Sequence, residues 1–347
     1  MLNPPRGLGG KVDRVVGSMS RLLHVRPAKH NTRVELERYL ELPKVEMFPE
    51  PPPLTGVTPR RTLMDRVIHS STLSWPSAHR VISPEYRLRH EREYKKNLTA
   101  WMRWVRPEGA RRRRVILYVH GWLEPGSWAE EATLFRTWGR ELEVDLAHVS
   151  LPFHGRRTPR RSLFSGEFFF TADFVRSVEA VRQAVCDARS AMGWLREQGY
   201  EQVGIAGLSL GGSLTMLLGC LDPAPDFIIP IISHLELAEA VEHAAIMWRM
   251  KRDLGKWGIH EAERREIMRR LGWSDYQATV PVERQLWIQA REDAYIDAAL
   301  AEGQWRRWGE PPILWIEGGH MTFPLELGKM TRRMGVFLDG LDGLPPL

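Results

Sequence analysis

Val203-Gly204-Ile205-Ala206-Gly207-Leu208-Ser209-Leu210-Gly211-Gly212-Ser213-Leu214 is the stretch that decides the fold. A short apolar strand runs into a helix through Gly207-Leu208-Ser209-Leu210-Gly211, the G-x-S-x-G pattern of a nucleophile elbow. A serine on so sharp a turn needs neighbours two positions away on each side that carry no side chain, and Gly207 and Gly211 supply that clearance. A helix starting near Leu210 directs unpaired N–H groups and the positive end of its dipole at the serine, where an oxyanion would form.

Outward from the elbow, apolar strands alternate with helices. Leu98 to Val105, Arg114 to Val119 and Val144 to Leu151 read as strands before it, and Phe227 to Ile232, Gln285 to Gln289 and Ile313 to Ile316 after it. Ser127 and Glu130 spell a capping box for a helix reaching about Leu142. Ala172 to Gln198 reads as a long helix with Phe174, Val178, Val181, Val185, Ala188, Met192 and Leu195 inward and Gly199 as its stop. Such strands predict an α/β fold, a mostly parallel sheet with helices on both faces. Residues 235–282 interrupt the alternation with two helical patterns and no strand. They predict a helical lid insertion over the carboxyl ends of the sheet, where open α/β folds bind ligands.

A serine hydroxyl is a poor nucleophile near neutral pH, so it needs an imidazole to take its proton and a carboxylate to orient that ring. Both follow the elbow at strand ends. Ala290-Arg291-Glu292-Asp293-Ala294-Tyr295-Ile296 offers two carboxylates, Asp293 first and Glu292 second, and Glu317-Gly318-Gly319-His320 presents His320 as the general base. His120 and His154 precede the serine, while His234 stands at the foot of the lid as a rival base. In His120-Gly121-Trp122, Gly121 lets the chain turn so that the Trp122 N–H joins the Leu210 N–H as an oxyanion donor, with His120 in support. Each such donor is typically worth about 3 kcal/mol of transition-state stabilisation. The expected chemistry is acyl transfer through an acyl-enzyme, and no metal or organic cofactor is implied.

These strand-end signals, in this order, resemble the α/β-hydrolase superfamily from about residue 60 to the C-terminus. Gln289-Ala290-Arg291-Glu292-Asp293-Ala294-Tyr295-Ile296, Ile316-Glu317-Gly318-Gly319-His320 and Trp194-Leu195-Arg196-Glu197-Gln198-Gly199-Tyr200 further resemble the branch called α/β-hydrolase domain-containing eighteen. The resemblance implies an α/β-hydrolase fold behind a leading helical region, and hydrolysis of acyl esters, lipid or other long-chain esters among them. A serine esterase of lipase-like type is the leading expectation. Two others stay open: an amidase or peptidase on the same triad, and a non-catalytic member that binds an acyl ligand or a partner protein.

The 347 residues, 43% apolar, suffice for a large core. Cys186 and Cys220 make neither a disulfide framework nor metal-ligand spacing, so a reducing, cytoplasmic setting is expected. No apolar run approaches the roughly 20 residues of a membrane span, and Met1 to Gly10 lacks a secretory pattern. The net charge of +6 peaks at Arg111-Arg112-Arg113-Arg114, which reads as a solvated loop before a strand. Without a basic helix or an aromatic RNA-reading signature beside it, nucleic acid is not an expected partner. Residues 1–60 read as an N-terminal helical extension ending in a proline-rich linker, and 61–347 as the hydrolase domain. Within the extension, Val12, Val15, Val16, Met19, Leu22 and Leu23 fall at helical spacing over residues 11–24, with Lys11, Arg14 and Arg21 off that face. This apolar stripe is expected to dock on its own domain; peripheral contact with an anionic membrane surface is the alternative.

Overall fold

In the computed structural model, which describes residues 7–63, 68–107 and 112–344, the strands are β1 (Arg60–Leu63), β2 (Ile68–Pro76), β3 (Thr99–Pro107), β4 (Arg114–Val119), β5 (Asp145–Val149), β6 (Gln202–Leu208), β7 (Ile228–Ile231), β8 (Trp287–Ala290) and β9 (Ile313–Ile316). They form one sheet in the order β1-β2-β3-β5-β4-β6-β7-β8-β9. β1 to β3 run antiparallel, β3 meets β5 antiparallel, and every pair from β5 onward is parallel. The two antiparallel strands β1 and β2 are absent from the expectation. Their runs Arg60–Leu63 and Ile68–Pro76 mix charged, hydroxyl and apolar residues without the continuous apolar signal of the central strands.

β4 explains where the site lies. The chain leaves β4 to build β5 on one side and returns to build β6 on the other, so the loops after β4 and β6 diverge and leave a crevice at their carboxyl ends. β4 is buried on both faces: Val115, Leu117 and Val119 pack in one helical layer and Ile116 and Tyr118 in the other. Its amino end, at the opposite edge of the sheet, carries the basic run. There Arg113 pairs with Glu201 at 2.8 Å, Arg114 bonds Gln202 and Asp342, and Arg112 lies 3.4 Å from Glu143, while Arg111 is outside the described residues.

The helix Phe174–Glu197 starts on Asp173, whose carboxylate accepts the Arg176 N–H, and ends at Gly199 with φ 79. Its inner face is the predicted one, but its polar face is buried too. The N-terminal segment lies across it: Tyr39 donates to Glu179 at 2.5 Å, Arg182 to the Met47 carbonyl at 2.9 Å, and Arg189 to the Phe48 carbonyl at 2.9 Å.

Two local expectations need correction. Ser127 makes no capping box. Its hydroxyl bonds Glu131, and the segment becomes a short α-turn, Trp128–Glu130, then a π-turn, Glu131–Phe135, then the helix Arg136–Glu141. The second concerns the helix Leu8–Leu23, which does dock on the domain with Lys11, Arg14 and Arg21 outward as expected, yet only part of its predicted apolar stripe, the half-buried Val12 and Val16, turns toward the protein. Gly9, Gly10, Asp13 and Gly17 face inward, while Leu8 (73% exposed), Val15 (61%) and Met19 (62%) face out. Small residues permit an approach that a branched stripe does not: a Cβ on Gly9 would sit 2.4 Å from the Gly319 nitrogen. The side chains of Leu22 and Leu23 lie outside the described part of the structure, as do Met1 to Arg6. Among the described residues no helix is long and apolar enough to cross a membrane.

One buried ion pair ties the loop after β5 to the central helix. Arg157, fully buried, reaches Asp187 at 2.7 Å and the carbonyls of Ser150 and Asn97 at 2.9 Å. Replacing Asp187→Ala strands that guanidinium, and a loss of about 3–5 kcal/mol is expected, read as a lower urea midpoint at unchanged slope.

Candidate active site

Ser209 is held at φ 56, ψ −116, a left-handed-side conformation that a non-glycine residue adopts only when its surroundings impose it. Three backbone constraints impose it. The Ser209 N–H donates to the Ile231 carbonyl of β7 at 2.9 Å, and the Ser209 carbonyl accepts the Ser213 N–H at 2.9 Å. The two elbow glycines touch through their backbones: a Cβ on Gly207 would lie 2.3 Å from the Gly211 carbonyl oxygen, and one on Gly211 1.9 Å from the Val119 carbonyl oxygen. The helix Leu210–Leu218 then begins directly after the serine.

The predicted acid and base meet across the ends of β8 and β9. His320 Nδ1 and Asp293 Oδ2 are 2.6 Å apart, and Asp293 Oδ1 accepts the Tyr295 and Ile296 N–H groups at 2.6 and 2.7 Å, so the carboxylate is fixed at both oxygens. Of the two adjacent carboxylates the structure selects Asp293. Glu292 turns away and accepts the Gly9 N–H at 3.1 Å. Burial disfavours a charged His320 ring, yet the charge and hydrogen bond of Asp293, with the charge of Asp13, outweigh it and raise the pKa above the ordinary histidine value.

Ser209 and His320 line one cavity of about 470 Å³, with Trp122, Leu210, His234 and Val16. Its roof is the insertion after β7, folded as the helices Leu237–His243, Trp248–Lys256 and Glu261–Leu271, of which Leu237 and Ala240 reach the cavity. Neither the Ser209 hydroxyl nor His320 Nε2 has a hydrogen-bond partner among the described residues, and the same holds for the Leu210 and Trp122 backbone N–H groups.

The loop after β4 lies against the elbow, a Cβ on Gly121 being 3.9 Å from Ser209 Cβ. His120 shapes it. Its Nε2 accepts the Leu151 N–H at 3.0 Å, so Nδ1 carries the proton and donates to the Gly121 carbonyl at 2.7 Å. The carbonyl and N–H of one planar trans peptide point in opposite directions, so this bond also aims the Trp122 N–H away from His120.

His234 lines the cavity too, but burial pushes it down to about 4, and its Nδ1 accepts the Glu236 N–H at 3.0 Å. His154 is buried, with its nitrogens on the Pro152 carbonyl and the Leu123 N–H. His120, Glu124 and His148 bring potential ligand atoms within 4.8 Å of one another. As placed, His120 spends both nitrogens on the backbone, which leaves its ring no free lone pair for a metal ion. No sequence motif pointed to Asp13 beside the loops that carry Asp293 and His320. An aspartate on the inner side of an otherwise glycine-lined helix face was the available signal.

Residues 141–253 match the family model described as Alpha/beta hydrolase domain containing 18. That span holds the elbow and the segment Trp194 to Tyr200, and it stops short of Asp293 and His320. An uncharacterized protein of Mycobacterium tuberculosis (strain ATCC 25618 / H37Rv), Rv2627c, is 28% identical over 295 residues, covering 82% of this chain and 68% of that one. Among solved structures, an acetyl xylan esterase from Paenibacillus sp. R4 superposes with a TM-score of 0.61 at 14% identity, covering 93% of this chain and 98% of that one. Acetyl Xylan Esterase 1 from Thermoanaerobacterium sp. JW/SL YS485 gives 0.51 at 11% identity, covering 89% and 98%. The chain thus has the α/β-hydrolase fold, and in its central third it resembles Alpha/beta hydrolase domain containing 18.

Proposed function

We propose that the protein is a serine hydrolase of carboxylic esters. The observation that carries the reading is the 2.6 Å pair of His320 and Asp293 facing, across one cavity, a serine on a strained elbow. Ser209 attacks the ester carbonyl while His320 Nε2 takes its proton, and Asp293 stabilises the resulting imidazolium. The Leu210 and Trp122 N–H groups receive the oxyanion. Collapse expels the alcohol, protonated by His320, and leaves an acyl-Ser209 ester; water, deprotonated by the same ring, then releases the acid. The missing Ser209–His320 hydrogen bond is expected to form on substrate binding, as catalytic contacts in empty sites are often long. The solved esterases with this fold lend support at the level of reaction class.

Long acyl esters suit the cavity, which Leu208, Leu235, Leu237, Ile246, Met247 and Phe323 help to line. The outward side of the helix Leu8–Leu23 adds a meeting place for them. Leu8, Val15 and Met19 stand exposed beside Lys11, Arg14 and Arg21, a combination that favours an anionic lipid surface.

Ser209→Ala is expected to lower turnover of a nitrophenyl ester by on the order of 10⁴-fold or more and to abolish labelling by a fluorophosphonate probe; full turnover in that variant refutes the mechanism. The base must be neutral to accept the serine proton, and its charged form is stabilised here. The acid limb of kcat/KM is therefore expected to have its midpoint above the ordinary histidine value of about 6.5, with activity falling as pH drops through it. In sedimentation with phosphatidylserine-containing vesicles the protein is expected in the pellet, and the Val15→Asp, Met19→Asp double variant in the supernatant. A wild-type protein that stays soluble removes the lipid-surface contact.

A further inference from the structure

The helix Leu8–Leu23 does more than cover the domain. Its Asp13 is 1% exposed, and among the described residues both oxygens of that carboxylate accept N–H groups of the loops that carry Asp293 and His320. Oδ2 accepts the His320 N–H at 2.7 Å and the Ala294 N–H at 3.1 Å, and Oδ1 accepts the Met321 N–H at 2.9 Å. One residue from a distant part of the chain thus ties the residue after Asp293 to His320 itself. The Asp13 carbonyl accepts the Tyr295 hydroxyl at 3.0 Å, and the Tyr295 ring lies 5.0 Å from the His320 ring. The fit is too close for most side chains: a Cβ on Gly319 would lie 2.5 Å from Asp13 Oδ2.

We propose that Asp13 is a positioning residue of the active site, so that the helix Leu8–Leu23 belongs to the catalytic apparatus. The assignment rests on the reading of His320 as the base. By holding both loops to one carboxylate, Asp13 fixes the separation of Asp293 and His320 and the height of the imidazole over Ser209. Its charge acts in the same sense as that of Asp293. Around His320 the ionisable neighbours are Asp293 from the loop after β8, Asp13 from the helix, and Tyr295, which burial first and then the two carboxylates push up to about 12, so it stays neutral. Removing the Asp13 charge therefore lowers the pH at which the ring loses its proton.

The test uses the full chain with Asp13→Asn and Asp13→Ala, reading kcat, KM and the titration of the His320 ring by NMR. Asp13→Asn is nearly isosteric and keeps an oxygen acceptor, so it is the variant that survives if Asp13→Ala fails to fold. Its His320 midpoint is expected to drop by about half a unit, and the acid limb of the rate profile with it. In Asp13→Ala the loops lose their common acceptor, and kcat is expected to fall on the order of 10²-fold with KM nearly unchanged. An unchanged His320 midpoint in Asp13→Asn, or an unchanged kcat in folded Asp13→Ala, overturns the assignment. The NMR midpoint needs no turnover, so it decides the role of Asp13 even if Ser209 proves not to be the nucleophile.

Discussion

Everything at this site depends on the backbone of one residue, Ser209, being forced to φ 56. Such a conformation costs of order 1–3 kcal/mol and persists only where neighbours over-determine it. Here β4, β6 and β7 do so together. The Gly207–Gly211 contact, the Val119 carbonyl lying where a Gly211 Cβ would be, and the bond from the Ser209 N–H to Ile231 leave the chain no relaxed alternative. The consequence is position: Ser209 sits directly between the end of β6 and the start of the helix Leu210–Leu218, lining the cavity.

Two buried aspartates perform complementary work around that serine. Asp293 meets the His320 ring with one oxygen and accepts two loop N–H groups with the other, so the carboxylate is fixed at both ends. Asp13 then holds the loops after β8 and β9 to a helix that arrives from the other end of the chain. Carboxylates suit both tasks because a charged acceptor forms short, strong bonds to several N–H groups at once. The same economy recurs in His120, which through one ring joins the loop after β5 to the loop after β4.

Much of this was legible in the chain. The elbow glycines, Asp293 and His320 at strand ends, and the long helix from about Ala172 to Gln198 were written in local patterns, because each answers to a constraint spanning a few residues. Other features were not. The charged residues of the helix Phe174–Glu197, such as Glu179, Arg182 and Arg189, lie off the inner face read from the sequence, yet residues 39–48 cover them through matched hydrogen bonds. Ser127 and Glu130 had capping-box spacing, but the Ser127 hydroxyl found Glu131, and burial beside Glu124 pushes Glu130 up to about 8. The helix Leu8–Leu23 turned its glycines and Asp13 inward and left Val15 and Met19 of its apolar stripe exposed, with Val12 and Val16 half-buried.

By itself, the sequence determined the sheet's central strands, the turn that displays Ser209, and the strand-end places at which Asp293 and His320 follow it, since periodicity and glycine spacing act at short range. Only the tertiary structure decided that Asp293 and not Glu292 meets His320, that Asp13 joins them, and which side of the first helix faces the protein. Those outcomes compare the fit of surfaces brought together from opposite ends of the chain. No local pattern encodes that comparison, because its energies exist only once both surfaces are in place.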